Sequence, residues 1–333
     1  MTGTHLTLLV EDFYPMVSAI TGEQRFPALE QLLSKGRSCN LRVPSANHLR
    51  FSLFGIEPDE LLPVAALTHV SDREKAPDSN YFWLRSDPVT LWADMARVFM
   101  TSHGFADLDP YERNEIENCI RGVLLAEGID LHAEHPERWC IALNEPLEFE
   151  FKSLDDALGM DLADALPDHP EARFWRRIIT EIQVALHNCP VNIRRRQRGR
   201  QEINSVWFWG GGFIPEAAPH DLIDTIYSNH PVTRGLAIIN DCRLKSQSMA
   251  TLAEFGRDGR SILIDWIPGT QYAVEELEHL EDLTRQLIRL ADQGDIEFLM
   301  YAGTGEGQSY DRRARRRFWR RKTPLSRPVT AGA

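Results

Sequence analysis

Apolar and polar positions follow two periods along this chain, and the changes between them mark its elements. LTLLVED (6–12) is continuously apolar and then acidic, as expected of a buried strand opening onto a polar loop. FPALEQLLSKG (26–36) sets leucines at 29, 32 and 33 ahead of Gly36, which predicts a helix stopped by glycine. In 107–128, Asp109, Pro110 and Glu112 form a helix-start signal, and Ile116, Ile120, Val123 and Leu124 make one apolar stripe. PEARFWRRIITEIQVALH (170–187) gathers Phe174, Ile178, Ile182 and Ala185 on one helical face. After residue 200, SVWFWG, GLAIIND, SILIDW and DIEFLMYA alternate with helical stretches around 219–229, 247–257 and 272–292. That alternation predicts parallel strands with crossover helices, in a doubly wound, mostly parallel α/β sheet. Residues 1–95 and 200–333 read as two halves of that sheet within a single domain, 1–333. The stretch 100–200 reads as a helical insertion in it.

In this arrangement three strands end in Trp209-Gly210, Asp241 and Asp265, and ligands bind beyond the carboxyl ends of such strands. INSVWFWGGG (203–212) runs an aromatic strand, expected to be central, directly into three glycines. Glycines there can bare backbone N–H groups to an anion, or merely allow a tight turn.

Composition narrows the functional classes. The chain of 333 residues has a net charge of −12, yet it concentrates arginine in RRRQRGR (194–200) and RRARRRFWRRK (312–322). An acidic protein with two such clusters points to local anion sites and away from a general nucleic-acid surface. In the second cluster we expect Trp319 to pack on the domain and the arginines to pair intramolecularly. The first twenty residues have no basic segment ahead of an apolar run, and no stretch has the length of a membrane span. The five cysteines form no CxxC pair and read as reduced thiols of a cytoplasmic protein. GxxxxGK[ST], strand-borne GxGxxG, GxSxG and HExxH are all absent.

The segment HNCPVNIRRRQRGRQEINSVWFWGGGFIP (187–215) resembles one in archaeal-type cofactor-independent phosphoglycerate mutases. His187, Pro190, Val191, Asn192, Arg195, Gly199, Asn204, Trp207, Trp209, Gly210, Gly212 and Pro215 fall in register, with Arg200 where the family has lysine. PSANHLRFSLFGIEP (44–58) resembles the family's nucleophile segment, which makes Ser45 the counterpart of its serine, followed by His48. A second resemblance is to bacterial regulatory proteins of RpfE type, carried by WLRSDPVTLWAD (83–94), EIQVALHNCPVN, INSVWFWGGG and RRRFWRRKTPL.

The resemblance implies an alkaline-phosphatase-type fold. It also implies phosphoryl transfer through a serine activated by two metals, on Asp and His ligands from both ends of the chain. It assigns Asn192, Arg195, Arg200, Asn204, Gly210 and Gly211 to an anion-binding site for a phosphorylated small molecule or a carboxylate. The family's Asp-Gly after the first strand is Asp12-Phe13 here, Gln271 follows Gly269-Thr270 where a histidine is needed, and the last strand lacks its Asp-His pair. Asp12, Asp241 and Asp265 remain as candidate metal ligands, too few for a tight bimetallic cluster. Two functions follow. One is a degenerate mutase-like protein, regulatory or binding a protein partner, with no tightly held cofactor. The other is an active mutase or phosphatase using Ser45, with His48 as a candidate base and Mg²⁺ or Mn²⁺ loosely bound.

Overall fold

The computed structural model describes residues 4–20, 24–41, 43–57, 62–76, 81–94, 97–103, 108–217, 223–247, 261–269, 273–303, 305–320 and 324–325. The chain forms two compact units, one of Met1–Pro58 with Ala217–Ala333 and the other of Asp59–Glu216.

Elements are numbered along the whole chain. The first unit contains β1 (Thr4–Val10), α1 (Phe13–Ser18), α2 (Pro27–Lys35), β2 (Arg37–Asn40) and α3 (Ala46–Leu53). After the second unit it resumes with β8 (Thr225–Ser228), α10 (Pro231–Ile239), β9 (Arg243–Lys245), β10 (Ser261–Trp266), α11 (Ala273–Gln293), β11 (Ile296–Ala302) and β12 (Glu306–Tyr310). Its seven-stranded sheet has the order β2-β12-β11-β1-β10-β8-β9. Strands β9, β8, β10, β1 and β11 are parallel, and β12 is antiparallel to β11 and β2. Strand β1 is buried on both faces because its side chains alternate. Leu6, Leu8 and Val10 join the leucines of α2 and α11, whereas Leu9 packs with Leu49 of α3 and Tyr301. Each such leucine contributes about 1.5–3 kcal/mol on burial. The buried Glu281 of α11 accepts the backbone N–H groups of Ala28 and Leu29 at 2.8–2.9 Å. A carboxylate thereby caps the N-terminus of α2, whose first N–H groups have no partner within the helix.

The second unit contains α4 (Val64–Arg73), β3 (Phe82–Asp94), β4 (Arg97–His103), α5 (Pro110–Ala126), β5 (Asp130–His132) and β6 (Cys140–Leu143). It continues with α6 (Leu154–Ala157), α7 (Leu162–Ala165), α8 (Ala172–His187), α9 (Pro190–Gln197) and β7 (Ser205–Gly212). The predicted start of α5 holds, with Asp109 as N-cap accepting from Glu112 N at 2.8 Å and Pro110 in the first turn. These helices lie with an antiparallel sheet, where the sequence predicted helices alone.

Four sequence expectations change here. Strand β7 is not central in the parallel sheet; it pairs antiparallel with β3, the one partner it has among the described residues. Its Phe208 enters the α5–α8 core and its Trp207 the opposite cluster, so both faces are filled as expected of this aromatic run. Residues 225–228 of the helix predicted around 219–229 form β8, while GLAIIND, predicted as a strand, supplies most of α10. The helix predicted around 247–257 lies outside the described residues beyond Gln247. At the C-terminus Phe318 and Trp319 are 82% and 66% exposed, so Trp319 does not pack as expected. Arg317 and Arg320 instead donate to the backbone carbonyls of Lys35 and Gly36, at the C-terminal end of α2.

Candidate functional site

The carboxyl edge of the parallel sheet is built from β1, β8 and β10 of the first unit. Asp265 stands in register with Leu9 on one side and Ser228 on the other, so it shares the face that α3 covers. Leu49 of α3 meets Leu9 there, and Arg50, one residue on, reaches Asp265. Arg50 Nε and Nη2 donate to the two Asp265 oxygens at 3.0 and 3.2 Å, and Nη2 also reaches Glu11 Oε2 at 2.8 Å. Asn47 Oδ1 accepts from Arg50 Nη1 at 3.1 Å. Asp265 accepts further from the hydroxyls of Thr233 and Ser228. Arg50 is 1% exposed and Asp265 fully buried. Burial alone would raise the Asp265 pKa, but the Arg50 charge, the His230 charge and the hydrogen bonds outweigh it and hold the carboxyl below its usual range. For Arg50, burial works against the charge, while Asp265 and Glu11 keep the guanidinium above its usual value.

Of the expected metal ligands, Asp241 does not join this carboxylate. Asp12 follows β1 at this edge and is exposed. Asp241 does not end a strand: it follows α10 in the left-handed conformation at φ 51°, two residues ahead of β9. Because β9 runs parallel to β8, Asp241 lies ahead of the amino end of β9, and that end stands about 10 Å along the strands from Asp265. A two-metal cluster needs several carboxylates or imidazoles with free lone pairs a few ångströms apart. Here both Asp265 oxygens accept donors from protein side chains, and the positive charge beside them belongs to Arg50. The residues present do not fit the family's metal pair.

Ser45 is the N-cap of α3. Its Oγ accepts from His48 N at 3.4 Å and stands 2.7 Å from His48 Nδ1. Burial pushes the His48 pKa down, so the ring is neutral at pH 7 and can accept the hydroxyl proton. The contact follows from the i, i+3 spacing in a first helical turn, which serves a cap and a nucleophile–base pair equally.

The residues assigned to an anion site lie in the second unit, and most are engaged in its framework. Asn192 is buried and bonds to Leu186 O, Ile203 O and Ile203 N, while Asn204 bonds to Leu91 N and O. Arg195, 1% exposed, donates to Glu112 at 2.9 Å and to Gln201 O at 2.7 Å. These three side chains tie α9 and β7 to α5 and β3. Arg200 is exposed. A Cβ on Gly211 would lie 2.7 Å from the Phe82 ring and one on Gly212 2.6 Å from Pro63, while Gly210 has φ 64°. The glycines thus admit Phe82 and the start of α4 against the backbone.

A second cluster contains none of the sequence candidates. His69 of α4, His132 at the end of β5 and Glu134 bring ligand-type atoms within 4.8 Å of one another. No short motif links them, since His69 and the His-x-Glu pair meet only through the packing of α4 on the sheet. Burial lowers the His69 pKa to about 4, so this imidazole is neutral at pH 7. The neighbouring His132 side chain lowers Glu134 to about 2.

No family model matches the chain. Over 200 residues it is 22% identical to the 2,3-bisphosphoglycerate-independent phosphoglycerate mutase of Methanosarcina acetivorans, covering 58% of this chain and 49% of that protein. A probable enzyme of the same name from Geobacter sulfurreducens is 22% identical over 228 residues, covering 64% and 56%. The chain thus spans about half the length of the curated relatives it matches. Among solved structures, the PH0037 protein from Pyrococcus horikoshii aligns with a TM-score of 0.54 at 11% identity, covering 95% of this chain and 92% of that one. That likeness is one of fold, and it agrees with the mostly parallel α/β sheet predicted from the sequence. The relatives of this chain in sequence are cofactor-independent phosphoglycerate mutases.

Proposed function

We propose that this chain is a phosphoglycerate-mutase-like protein with a degenerate metal site, acting in the cytoplasm as a regulatory or interaction protein of RpfE type. One observation carries the reading: the buried Arg50 fork stands where a metal would have to meet Asp265. A guanidinium neutralises the carboxylate and preserves the fold, but it is not a Lewis acid and cannot lower the pKa of a serine by coordination. Any anion-binding role in the family-like segment falls to the exposed Arg200, supported by the framework of Asn192 and Arg195. Its ligand would be a phosphorylated small molecule or a carboxylate, which a guanidinium pairs with in bidentate fashion.

The 2.7 Å contact between Ser45 and His48 favours a second reading, in which Ser45 is a working nucleophile of a metal-dependent mutase or phosphatase. Interconversion of 2- and 3-phosphoglycerate separates the two. With Mg²⁺, Mn²⁺ or Zn²⁺ supplied, we expect no turnover and no phosphoserine at Ser45 by intact mass. Metal-dependent turnover that Ser45→Ala abolishes would establish the enzyme.

A further inference from the structure

The second unit contains a buried histidine whose Nε2 has no hydrogen-bond partner among the described residues. This residue, His69, is 1% exposed, and its Nδ1 stands 3.8 Å from Glu134 Oε2. His132 Nδ1 lies 3.7 Å from the other Glu134 oxygen, and the two imidazole rings meet edge to face at 5.1 Å. Trp83 stacks on His69 at 3.9 Å and contacts His132 edge-on at 5.0 Å, which fixes both rings.

We propose that His69, His132 and Glu134 bind a zinc ion, with its remaining coordination position supplied from the cavity that His132 lines. Two imidazoles and a carboxylate are a donor set zinc prefers, and they leave one tetrahedral position open. Ligand bonds of about 2.0–2.1 Å at tetrahedral angles put donor atoms roughly 3.4 Å apart. The two nitrogen–oxygen separations, one to each Glu134 oxygen, exceed that by less than half an ångström, and the three ligand atoms lie within 4.8 Å of one another. The ligands come from a helix and a strand end, and Trp83 holds the rings, so little freedom is lost on binding. The cavity measures about 490 Å³, and its wall includes Tyr81, Asp130, Asn144, Arg73 and Lys75 beside His132. Arg73 and Lys75 suit that space to a small anionic ligand on the metal.

The test uses the full chain without a histidine tag, stripped with chelator and titrated with Zn²⁺ alone against a competing chelator. We expect one zinc per chain, a change in tryptophan emission from Trp83, and an X-ray absorption spectrum of nitrogen and oxygen ligands without sulfur. His132→Ala and Glu134→Gln should each weaken binding by about a hundredfold or more. Because His69 is part of the core, far-UV circular dichroism of the two other variants shows that the loss is not unfolding. Failure to retain zinc at micromolar free metal would overturn the proposal. So would unchanged affinity in both variants, or sulfur in the coordination shell.

Discussion

Replacing Arg50 by methionine removes the cation that holds Asp265 and keeps most of the buried side-chain volume. The folded protein would then contain a fully buried carboxylate held by the Thr233 and Ser228 hydroxyls and the charge of His230. Breaking a buried ion pair from one side costs about 3–5 kcal/mol. The surviving hydroxyl bonds place this case toward the lower end, at roughly 3–4 kcal/mol. At about 2–4 °C per kcal/mol, the melting temperature should fall by about 6–16 °C.

The pH dependence fixes the cause of that loss. In the native chain the folded-state pKa of Asp265 is depressed. Its stabilisation is therefore present above the unfolded value of about 3.9 and disappears as pH falls through the lower folded value, outside the neutral range. Without Arg50, burial dominates and the folded pKa rises above the unfolded one. The penalty is then largest at neutral pH and shrinks as acidification protonates the buried carboxyl. Calorimetric melts of both proteins from neutral pH to about pH 5 should therefore converge. Adding Asp265→Asn to Arg50→Met should recover part of the loss, since it removes the stranded charge. A loss under about 1 kcal/mol with no convergence would mean that the pair behaves as an exposed one, and would refute the reasoning.

Other substitutions probe the remaining parts. Gly211→Val sets a branched side chain against the Phe82 ring and should cost about 1–3 kcal/mol in urea unfolding, without specific loss of ligand. Arg195→Ala strands the buried Glu112 and should destabilise the second unit by about 3–5 kcal/mol, whereas Arg200→Ala should leave stability unchanged and remove any melting shift caused by phosphate. Ser45→Ala removes the α3 N-cap and should cost about 0.5–2 kcal/mol by thermal melting. Arg317→Ala and Arg320→Ala should each cost about 0.3–1 kcal/mol, less at high salt, because both donate at the C-terminal end of α2.

Elements with a clear period were legible in the sequence. The apolar stripe and the Asp109-Pro110 start specify α5, and the leucines of 277–287 specify α11. Continuous apolar runs were not. LAII reads equally as a strand or a buried helix, and only Pro231 ahead of it marks a helix start. That exchange moved Asp241 from a strand's carboxyl end to a helix terminus at the opposite edge. The four residues of β8 are too few to show any period. Nothing local distinguishes parallel from antiparallel pairing of VWFW, which β3 decides from far along the chain. The Ser45–His48 contact follows from spacing, but Arg50 meets Asp265 across 215 positions. An arginine on a helix gives no sign in sequence that its charge is spent inside the protein.

The most direct test of the central claim is anomalous diffraction from crystals soaked in Mn²⁺. The account predicts ordered Arg50 density forked onto Asp265, with no anomalous peak at that carboxylate or between it and Ser45. Two peaks bridging Asp12, Asp265 and the Ser45 hydroxyl, with the Arg50 side chain swung away, would contradict it.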